Sequence, residues 1–270
     1  MPNTKATSLG FIPDWPAPAG VKAFVTTRQG GYSQVPWESN NLALHVGDDP
    51  GIVRRNRLQL MDALQLSNEP QWLRQVHGTD IVEVGTDVVA SEADGSITSQ
   101  TEIACVVLTA DCLPIILSDN QGHQVAAIHA GWRGLAAGII AQGVKRFTTS
   151  ADDLLAYLGP GICQQCYEVD TVVCDALIKT LSSTRMGEDI RRQVPNKSGH
   201  YLVSLAAVAK AQLRQLGVVH VFGGEICNSC DARFFSYRRD RSIGSQASET
   251  SEAKQLHQET GRFATLIWRD

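Results

Sequence analysis

The stretch IACVVLTADCLPIILSDNQGHQVAAIHAGWRG, residues 103–134, sets buried strands beside side chains that can carry chemistry. Three apolar runs in it have the length and residue types of β-strands: Ile103–Thr109, Leu113–Leu117 and Gln124–Ile128. Asp111 and Cys112 interrupt the first two runs, where a polar pair is a poor strand interior and Pro114 cannot donate to a ladder. His129 ends the third run. We therefore predict three strands that deliver Cys112 and His129 to a common edge.

A second histidine, His77, stands in a similar setting upstream. Residues 72–77 alternate like a half-buried strand, and Ile81–Val84 returns after a glycine turn. Two imidazoles and one thiolate suit zinc, and three protein ligands leave a fourth position open for water or substrate. The spacing is a weak signature, because Cys112 alone also reads as a small core residue and each histidine as a structural one.

Several segments, in this order, resemble the YfiH-like family and cover nearly the whole chain. They are TTRQGG (26–31), NLALHVGD (41–48), QVHG (75–78), TADCLPI (109–115), HAGWRG (129–134), LGPGI (158–162), FFSYRRD (234–240) and Thr260-Gly261-Arg262. Members of this family are zinc proteins, first labelled multicopper polyphenol oxidases or laccase-domain proteins and now regarded as purine nucleoside phosphorylases that also deaminate adenosine. The resemblance implies that His77, Cys112 and His129 hold the catalytic zinc. It also implies an α+β fold of layered mixed sheets flanked by helices, similar to the cytotoxic necrotizing factor catalytic domain.

The implied activity is phosphorolysis of adenosine, inosine and guanosine with inorganic phosphate as co-substrate, and methylthioadenosine is a further candidate. Deamination of adenosine is the second implied reaction. Besides the zinc ligands, we expect Asp111 to be catalytic and His45, Arg57, Gln75 and Arg133 to bind substrate. Each also has a structural reading, respectively a turn cap, a loop histidine, a solvated helix charge, a ladder residue and a surface cation.

Three alternatives remain open from the residues. In a metal-independent Cys-His hydrolase or deamidase, Cys112 would be the nucleophile and His129 or His77 its base. In a non-enzymatic protein, a fourth side chain would close a structural zinc site. The third alternative is the copper-dependent polyphenol oxidase of the family's first label. A four-copper laccase is disfavoured, since the seven histidines include no His-x-His pair, although Cu²⁺ can occupy the site adventitiously.

Composition favours an intracellular enzyme. A chain of 270 residues with 43% hydrophobic and 19% charged residues can bury a large core, and we treat 1–270 as one domain. The net charge of −4 argues against nucleic acid as a partner, and no apolar run is long enough to span a membrane. The N-terminus lacks a signal-peptide core, which predicts a cytoplasmic protein. Seven cysteines, an odd number, favour free thiols and metal ligands over disulfides. Nothing in the sequence identifies a protein partner.

Hydrophobic spacing assigns the remaining elements. Predicted strands are Val21–Thr27, Leu154–Leu158, Val218–Phe222 and Phe263–Trp268. Predicted helices are Ile52–Leu66, Gly134–Phe147, Val169–Leu181 and Leu202–Leu216. Residues 1–20 read as an irregular lead-in, 85–102 as a polar connection with a turn at Asp94-Gly95, and 241–259 as a loop lengthened relative to the family.

Two further patterns resemble metal motifs. Cys163-Gln-Gln-Cys166 and Cys227-Asn-Ser-Cys230 can form a four-cysteine zinc site, but 60 residues separate them, and we favour incidental thiols. His257-Gln258-Glu259 imitates half of the cytidine-deaminase signature without its downstream Pro-Cys-x-x-Cys, so we assign it no site.

Overall fold

A computed structural model of the chain describes residues 8–85, 92–182, 190–241 and 259–270, and its architecture is α+β. The strands are β1 Gly10–Phe11, β2 Val21–Thr26, β3 Ile81–Glu83, β4 Gly95–Thr98, β5 Cys105–Thr109, β6 Leu113–Asp119, β7 Val125–Ala130, β8 Leu154–Leu158, β9 Glu168–Asp170, β10 Arg191–Gln193, β11 His200–Val203, β12 His220–Gly223 and β13 Phe263–Arg269. The helices are α1 Pro50–Leu64, α2 Trp132–Ala137, α3 Ile139–Lys145, α4 Thr171–Ile178 and α5 Leu205–Gln215.

The strands form three sheets. A six-stranded sheet has the order β12-β8-β6-β7-β4-β3, and a four-stranded sheet has the order β1-β2-β13-β5. The six-stranded sheet is antiparallel at its centre and parallel at both edges, where β12 pairs with β8 and β3 with β4. The third sheet is small and antiparallel, has the order β10-β11-β9, and shares no strand with the other two. The fold is therefore a set of mixed sheets, as the family resemblance implied.

The two large sheets pack face to face. One cluster of buried side chains joins Val107 of β5 and Ile267 of β13 to Ile116 of β6 and Ala127 of β7. Burial of such apolar surface on both sides of each strand explains why these strands read as continuous hydrophobic runs.

Helices cover the two outer faces. Leu60 and Ala63 of α1 share a buried cluster with Phe24 and Leu266 of the four-stranded sheet. On the other side, α2 to α5 share a cluster with β6, β7 and β8. The side chain of Asp49 caps α1 by accepting hydrogen bonds from the first-turn amides. The molecule is thus layered as helix, sheet, sheet and helices, which leaves strand ends and loops to form sites.

Most of the strongly periodic predictions match the observed elements within a few residues. The strands β2, β5, β6, β7, β8, β12 and β13 and the helix α1 all occur where apolar spacing indicated them. Pro114 lies at the second residue of β6, and pairing of β6 with β8 begins only at Ile115. A proline is tolerated there because no ladder bond to β8 is needed from its nitrogen.

Three predictions of local structure were wrong. Residues 72–77 make only isolated bridges, because the amides of residues 76–78 bond to a carboxylate rather than to a strand. The connection predicted over 85–102 contains β4, whose four residues are all buried between β3 and β7. The helix predicted over Gly134–Phe147 is two helices, since Gly138 adopts a φ of 91° that ends α2.

Other elements differ at their boundaries. The segments predicted as Val169–Leu181 and Leu202–Leu216 each begin with a short strand, β9 and β11, and become helical only at α4 and α5. The lead-in contains the two-residue strand β1. The loop predicted over 241–259 and the His257-Gln258-Glu259 motif lie almost wholly outside the described residues. No helix in the described ranges is long and apolar enough to cross a membrane.

Candidate active site

The antiparallel pairing of β6 with β7 brings Cys112 and His129 together. Pro114 lies opposite His129 in this register, so Cys112, just before β6, and His129, near the end of β7, meet at one edge. The backbone between β5 and β6 turns sharply there, and Asp111 has a φ of 91°. The strand break that the sequence indicated is therefore the point where the chain passes from one sheet to the other.

His77 reaches the same place through a loop held by Asp94. The fully buried carboxylate of Asp94 accepts hydrogen bonds from the backbone amides of Val76, His77 and Gly78 at 3.2, 2.9 and 2.6 Å. His77 itself has a φ of 61°, a left-handed conformation that is costly for a residue with a side chain. The carboxylate thus compensates for a backbone geometry that aims the imidazole inward.

Asp94 also orients the second imidazole. Its Oδ1 atom lies 2.7 Å from Nδ1 of His129, and its backbone oxygen accepts from the amide of His129 at 2.7 Å. A carboxylate on one ring nitrogen fixes the tautomer and leaves Nε2 as the atom available for a ligand. Buried carboxylate–imidazole pairs of this kind are typical of metal-binding histidines.

The donor atoms of His77, Cys112 and His129 all lie within 4.8 Å of one another. Sγ of Cys112 is 3.8 Å from Nε2 of His77, and the two imidazole rings meet edge to face with centroids 4.8 Å apart. A Cβ at Gly131 would stand 3.0 Å from both Cys112 Sγ and His77 Cδ2, so only glycine leaves this space free. The donor set, with the space that Gly131 leaves beside it, suits a small, thiophilic cation such as zinc.

Electrostatics favour a charged thiolate. Burial alone would raise the pKa of Cys112, but the charges of His129 and His77 and their hydrogen bonds lower it to about 6. Burial would lower the pKa of His129, but the thiolate of Cys112 and the carboxylate of Asp94 raise it to about 9. Such a thiolate is the form of cysteine that binds metals and acts as a nucleophile.

The three donors lie in a pocket of about 480 Å³. Its lining combines the candidate ligands with aromatic and cationic side chains, namely His45, Gln75, His77, Leu108, Thr109, Ala110, Asp111, Cys112, His129, Trp132, Arg133, Ile162, Tyr167, Tyr237, Arg238 and Arg262. This volume lies within the range of small-molecule sites. Three arginines around one pocket make it suitable for an anion.

Two of the predicted substrate-binding residues line this pocket as exposed side chains. Arg133 lies over the Trp132 ring at 4.4 Å, and His45 approaches from the loop after β2. Partial burial and the charges of Arg262, Arg57 and His77 lower the pKa of His45, so its ring is neutral near pH 7. A neutral imidazole can donate one hydrogen bond and accept another.

The other predicted residues have internal partners. Gln75 pairs with the backbone of Leu108 in both directions at 2.8 Å. Arg57 is buried in an adjacent pocket, where it donates to Leu42 O and stacks on Trp72 at 3.9 Å. These contacts hold the pocket walls.

Asp111 uses its carboxylate to fasten the segment after β12. Its oxygens accept from Nδ2 of Asn228 at 2.8 Å, from Oγ of Ser236 at 2.7 Å and from the amide of Arg238 at 2.7 Å. The geometry therefore gives Asp111 a positioning contact with the Arg238 wall.

Sequence reasoning missed three residues of the site. The sequence around Asp94 predicts only a turn, and nothing local signals that its carboxylate bonds to the amide of His77 and to the ring of His129. Arg238 and Arg262 lie in two segments that carry the family resemblance, FFSYRRD and Thr-Gly-Arg. Their place in these motifs is the signal from which a role in the site could have been predicted.

The two Cys-x-x-Cys pairs, favoured above as incidental thiols, meet in space. Within the described residues, two groups have donor atoms close enough to hold a metal ion. One is the set of His77, Cys112 and His129, and the other is Cys163, Cys166, Cys227 and Cys230. Sequence separation alone was therefore a misleading argument against the second group.

Comparison with known proteins gives one consistent family. Residues 22–270 match the family described as "Multi-copper polyphenol oxidoreductase laccase". The chain is 42% identical over 260 residues to a protein of Pseudomonas aeruginosa named purine nucleoside phosphorylase, covering 96% of this chain and 97% of that one. It is 39% identical over 242 residues to purine nucleoside phosphorylase YfiH of Escherichia coli, covering 88% and 96%.

Solved structures agree. The Neisseria meningitidis protein NMB0706 superposes with a TM-score of 0.83 at 38% identity, covering 97% of this chain and 99% of that one. YlmD from Geobacillus stearothermophilus gives a TM-score of 0.79 at 32% identity, covering 94% and 93%. The chain therefore belongs to the YfiH-like family, which is the family described above as a multi-copper polyphenol oxidoreductase laccase.

Proposed function

We propose that this protein is a zinc-dependent purine nucleoside phosphorylase that acts on adenosine, inosine and guanosine and also deaminates adenosine. The observation that carries the proposal is a single pocket in which two imidazoles and a thiolate face three arginines and several aromatic rings. The names of the relatives at 39–42% identity support the same activity. We further propose that the enzyme works in the cytoplasm.

His77, Cys112 and His129 would hold the metal, and Asp94 would fix the orientation of His129. Zinc in such a site supplies Lewis acidity and an open coordination position. The protein's own contribution is a preorganised donor set, because the carboxylate and Gly131 define the cradle before any ligand arrives.

Arg133, Arg238 and Arg262 supply the positive charge for phosphate. They come from three separate segments and line the same pocket. Guanidinium groups bind phosphate oxygens through charge-assisted hydrogen bonds, often in pairs. In phosphorolysis a phosphate oxygen bonds to the anomeric carbon while the bond to the purine nitrogen breaks, so the arginines would neutralise the nucleophile and set its direction.

The remaining lining suits a nucleoside. Tyr167, Tyr237 and Trp132 offer aromatic faces for the purine, and Ile162 and Leu108 offer apolar contact. The neutral ring of His45 can donate a hydrogen bond to the purine nitrogen as the bond to ribose breaks. The leaving base would then depart without carrying a full negative charge.

Deamination of adenosine is the second reaction of the proposal. Zinc held by histidine and cysteine ligands is the donor chemistry of nucleobase deaminases. In this reaction water supplies the oxygen that replaces the purine amino group, and the amino group leaves as ammonia, so phosphate is not needed. The two reactions therefore separate experimentally by their dependence on phosphate.

A metal-independent Cys-His hydrolase is the second candidate, because one specific contact favours it. Cys112, His129 and Asp94 form a thiolate, imidazole and carboxylate chain like that of a cysteine hydrolase. Against it, His77 faces the same sulfur at 3.8 Å, an arrangement that a nucleophile does not need and a metal site does.

The deciding experiment measures products from inosine and adenosine, each with and without phosphate. We expect base and ribose phosphate only when phosphate is present, inosine from adenosine in either case, and a loss of both activities of at least about 100-fold in Cys112→Ala. Cys174→Ala is the matched control, because that thiol is buried in α4 and outside the pocket.

Metal dependence separates the two candidates. Chelated protein should be inactive and recover with zinc. Full activity of metal-free protein, abolished by thiol alkylation, would instead establish the cysteine hydrolase. Retained phosphorolysis in Cys112→Ala would reject both assignments.

A further inference from the structure

A second group of side chains that could hold a metal ion, four cysteines, lies apart from the three candidate ligands in the pocket. Its members are the two Cys-x-x-Cys pairs, Cys163 with Cys166 and Cys227 with Cys230. All four sulfurs lie within 4.8 Å of one another, and all four cysteines are free thiols. Three of them are partly buried and Cys230 is exposed, so an ion can enter from solvent.

The spacing of the sulfurs agrees with one tetrahedral ion. Four thiolates bound to zinc at about 2.3 Å would stand roughly 3.8 Å apart. Sγ of Cys230 lies 4.0 Å from Sγ of Cys163 and 3.3 Å from Sγ of Cys166. A disulfide needs sulfurs about 2.05 Å apart and can join only two of the four.

The backbone around the sulfurs has the form of paired metal knuckles. Residues Gln164–Cys166 make a 3₁₀ turn that brings Cys166 back towards Cys163. The turn after Cys227 is closed by the amide of Asp231, which donates to Cys227 O at 3.0 Å. The amide of Cys163 donates to Sγ of Cys227 at 3.2 Å, and amide donors of this kind stabilise a thiolate that binds a metal.

The two turns are joined by backbone as well as by sulfur. Gly161 and Cys227 form a parallel bridge, in which the amide of Gly161 donates to Ile226 O and the amide of Asn228 donates to Gly161 O. This pairing fixes the two pairs at the required distance before any ion binds. A preformed site of four cysteines is suited to a structural metal with no open position.

We propose that Cys163, Cys166, Cys227 and Cys230 bind a structural zinc ion, separate from the pocket site. On binding, four thiols lose their protons to solvent and one Zn²⁺ takes four thiolate sulfurs. The proposal concerns these four cysteines alone and does not depend on the phosphorylase activity.

The position of the knuckles explains what such an ion would do. Ile162 and Tyr167, which flank the first pair, and Tyr237 and Arg238, which follow the second, all line the substrate pocket. Asn228, inside the second knuckle, donates to the carboxylate of Asp111 at 2.8 Å. The ion would therefore join the pocket wall around Ile162 and Tyr167 to the wall around Tyr237 and Arg238. Through Asn228 it would also hold Asp111, the residue before Cys112, in place.

The test uses the full chain with the pocket site disabled by His77→Ala and Cys112→Ala. We expect this background to retain about one equivalent of zinc per chain, and the added Cys227→Ser and Cys230→Ser pair to lower it to about zero. Adding Cys174→Ala instead should leave the metal content unchanged, because that buried thiol lies outside both clusters. Zinc loss should also lower the thermal midpoint of unfolding.

Cobalt substitution keeps the proposal falsifiable if the serine variant fails to fold. Co²⁺ in the disabled background should give the strong visible and thiolate charge-transfer bands of a tetrahedral tetrathiolate complex. The absence of those bands, or zinc far below one equivalent in the background, would overturn the proposal. So would an unreduced mass showing disulfides among these four cysteines.

Discussion

Cys112 is the residue whose chemistry depends most on its neighbours. The small buried side chain that its apolar context suggests would have an ordinary thiol, but His129 and His77 hold its charged form. The thiolate of Cys112 and the imidazolium of His129 each stabilise the charged form of the other, so the pKa of Cys112 is lowered and that of His129 is raised. At the residue scale, the family motif identified the donor atoms, whereas their ionisation follows from contacts that only the fold creates.

The lowered pKa predicts an unusual pH dependence of alkylation in the metal-free protein. With a pKa of about 6, Cys112 stays mostly thiolate at pH 8 and pH 7, so its alkylation rate should change little between them and fall as pH drops through 6. In the unfolded chain, where the thiol pKa is about 8.5, the alkylation rate should fall about eightfold between pH 8 and pH 7. Peptide mapping after timed alkylation measures both rates, and an equally steep fall in the folded protein would contradict the expectation.

At the scale of elements, the sequence predicted strands well where apolar runs were long. β5, β6 and β7 are each buried along their whole length, and that burial is what produces the run. β4 was missed because Gly-Ser-Ile-Thr carries almost no such signal, and its burial comes from the strands on either side. Residues 72–77 alternate like a strand, but their partner is the carboxylate of Asp94.

The same reasoning explains which site residues escaped prediction. Asp94 stands at the start of β4 and joins the His77 loop to β7, two contacts that span 17 and 35 residues. The cysteine pairs meet across a gap of 60 residues through a single bridge at Gly161. Local patterns report periodicity and turn chemistry, and neither reports which distant loops the sheets bring together.

Replacing Asp94 tests whether its contacts with the His77 loop and with His129 hold the candidate metal ligands in place. Asp94→Asn keeps the side-chain shape, but its amide nitrogen must face backbone donors or His129, so we expect a loss of about 1–3 kcal/mol in the free energy of unfolding. We also expect zinc affinity of the pocket site to fall about 10- to 100-fold, as for other groups that orient a ligand histidine. Denaturant unfolding and competition with a chelator measure the two effects.

Asp80→Asn is the matched control for that experiment. Asp80 is exposed in the same loop region, and a surface substitution of this kind should change stability by less than about 0.5 kcal/mol. If Asp94→Asn left zinc affinity at the level of the control, the carboxylate would have a purely structural role.

At the scale of the whole molecule, the pocket lies where strand ends of both large sheets meet the loops that follow them. The β6–β7 edge supplies two of the candidate ligands, Cys112 and His129, the crossing from β5 to β6 supplies Asp111, and the segments around residues 162–167 and 237–238 supply the opposite wall. The three arginines of the lining come from three separate parts of the chain: Arg133 from α2, Arg238 from the segment after β12, and Arg262 from just before β13. Long-range convergence of this kind concentrates positive charge locally in a protein whose net charge is −4.

That convergence predicts a specific kinetic effect of removing one arginine. Arg238→Ala or Arg133→Ala should each raise the KM for phosphate about 10- to 100-fold, the equivalent of about 1.5–3 kcal/mol for charge-assisted hydrogen bonds, with a smaller change in the KM for inosine. Arg54→Ala, an exposed arginine on α1 outside the pocket, is the control for loss of charge alone. Initial rates over a matrix of phosphate and inosine concentrations separate the two constants. Equal increases in both would mean that the arginines support the wall of the pocket and do not bind phosphate.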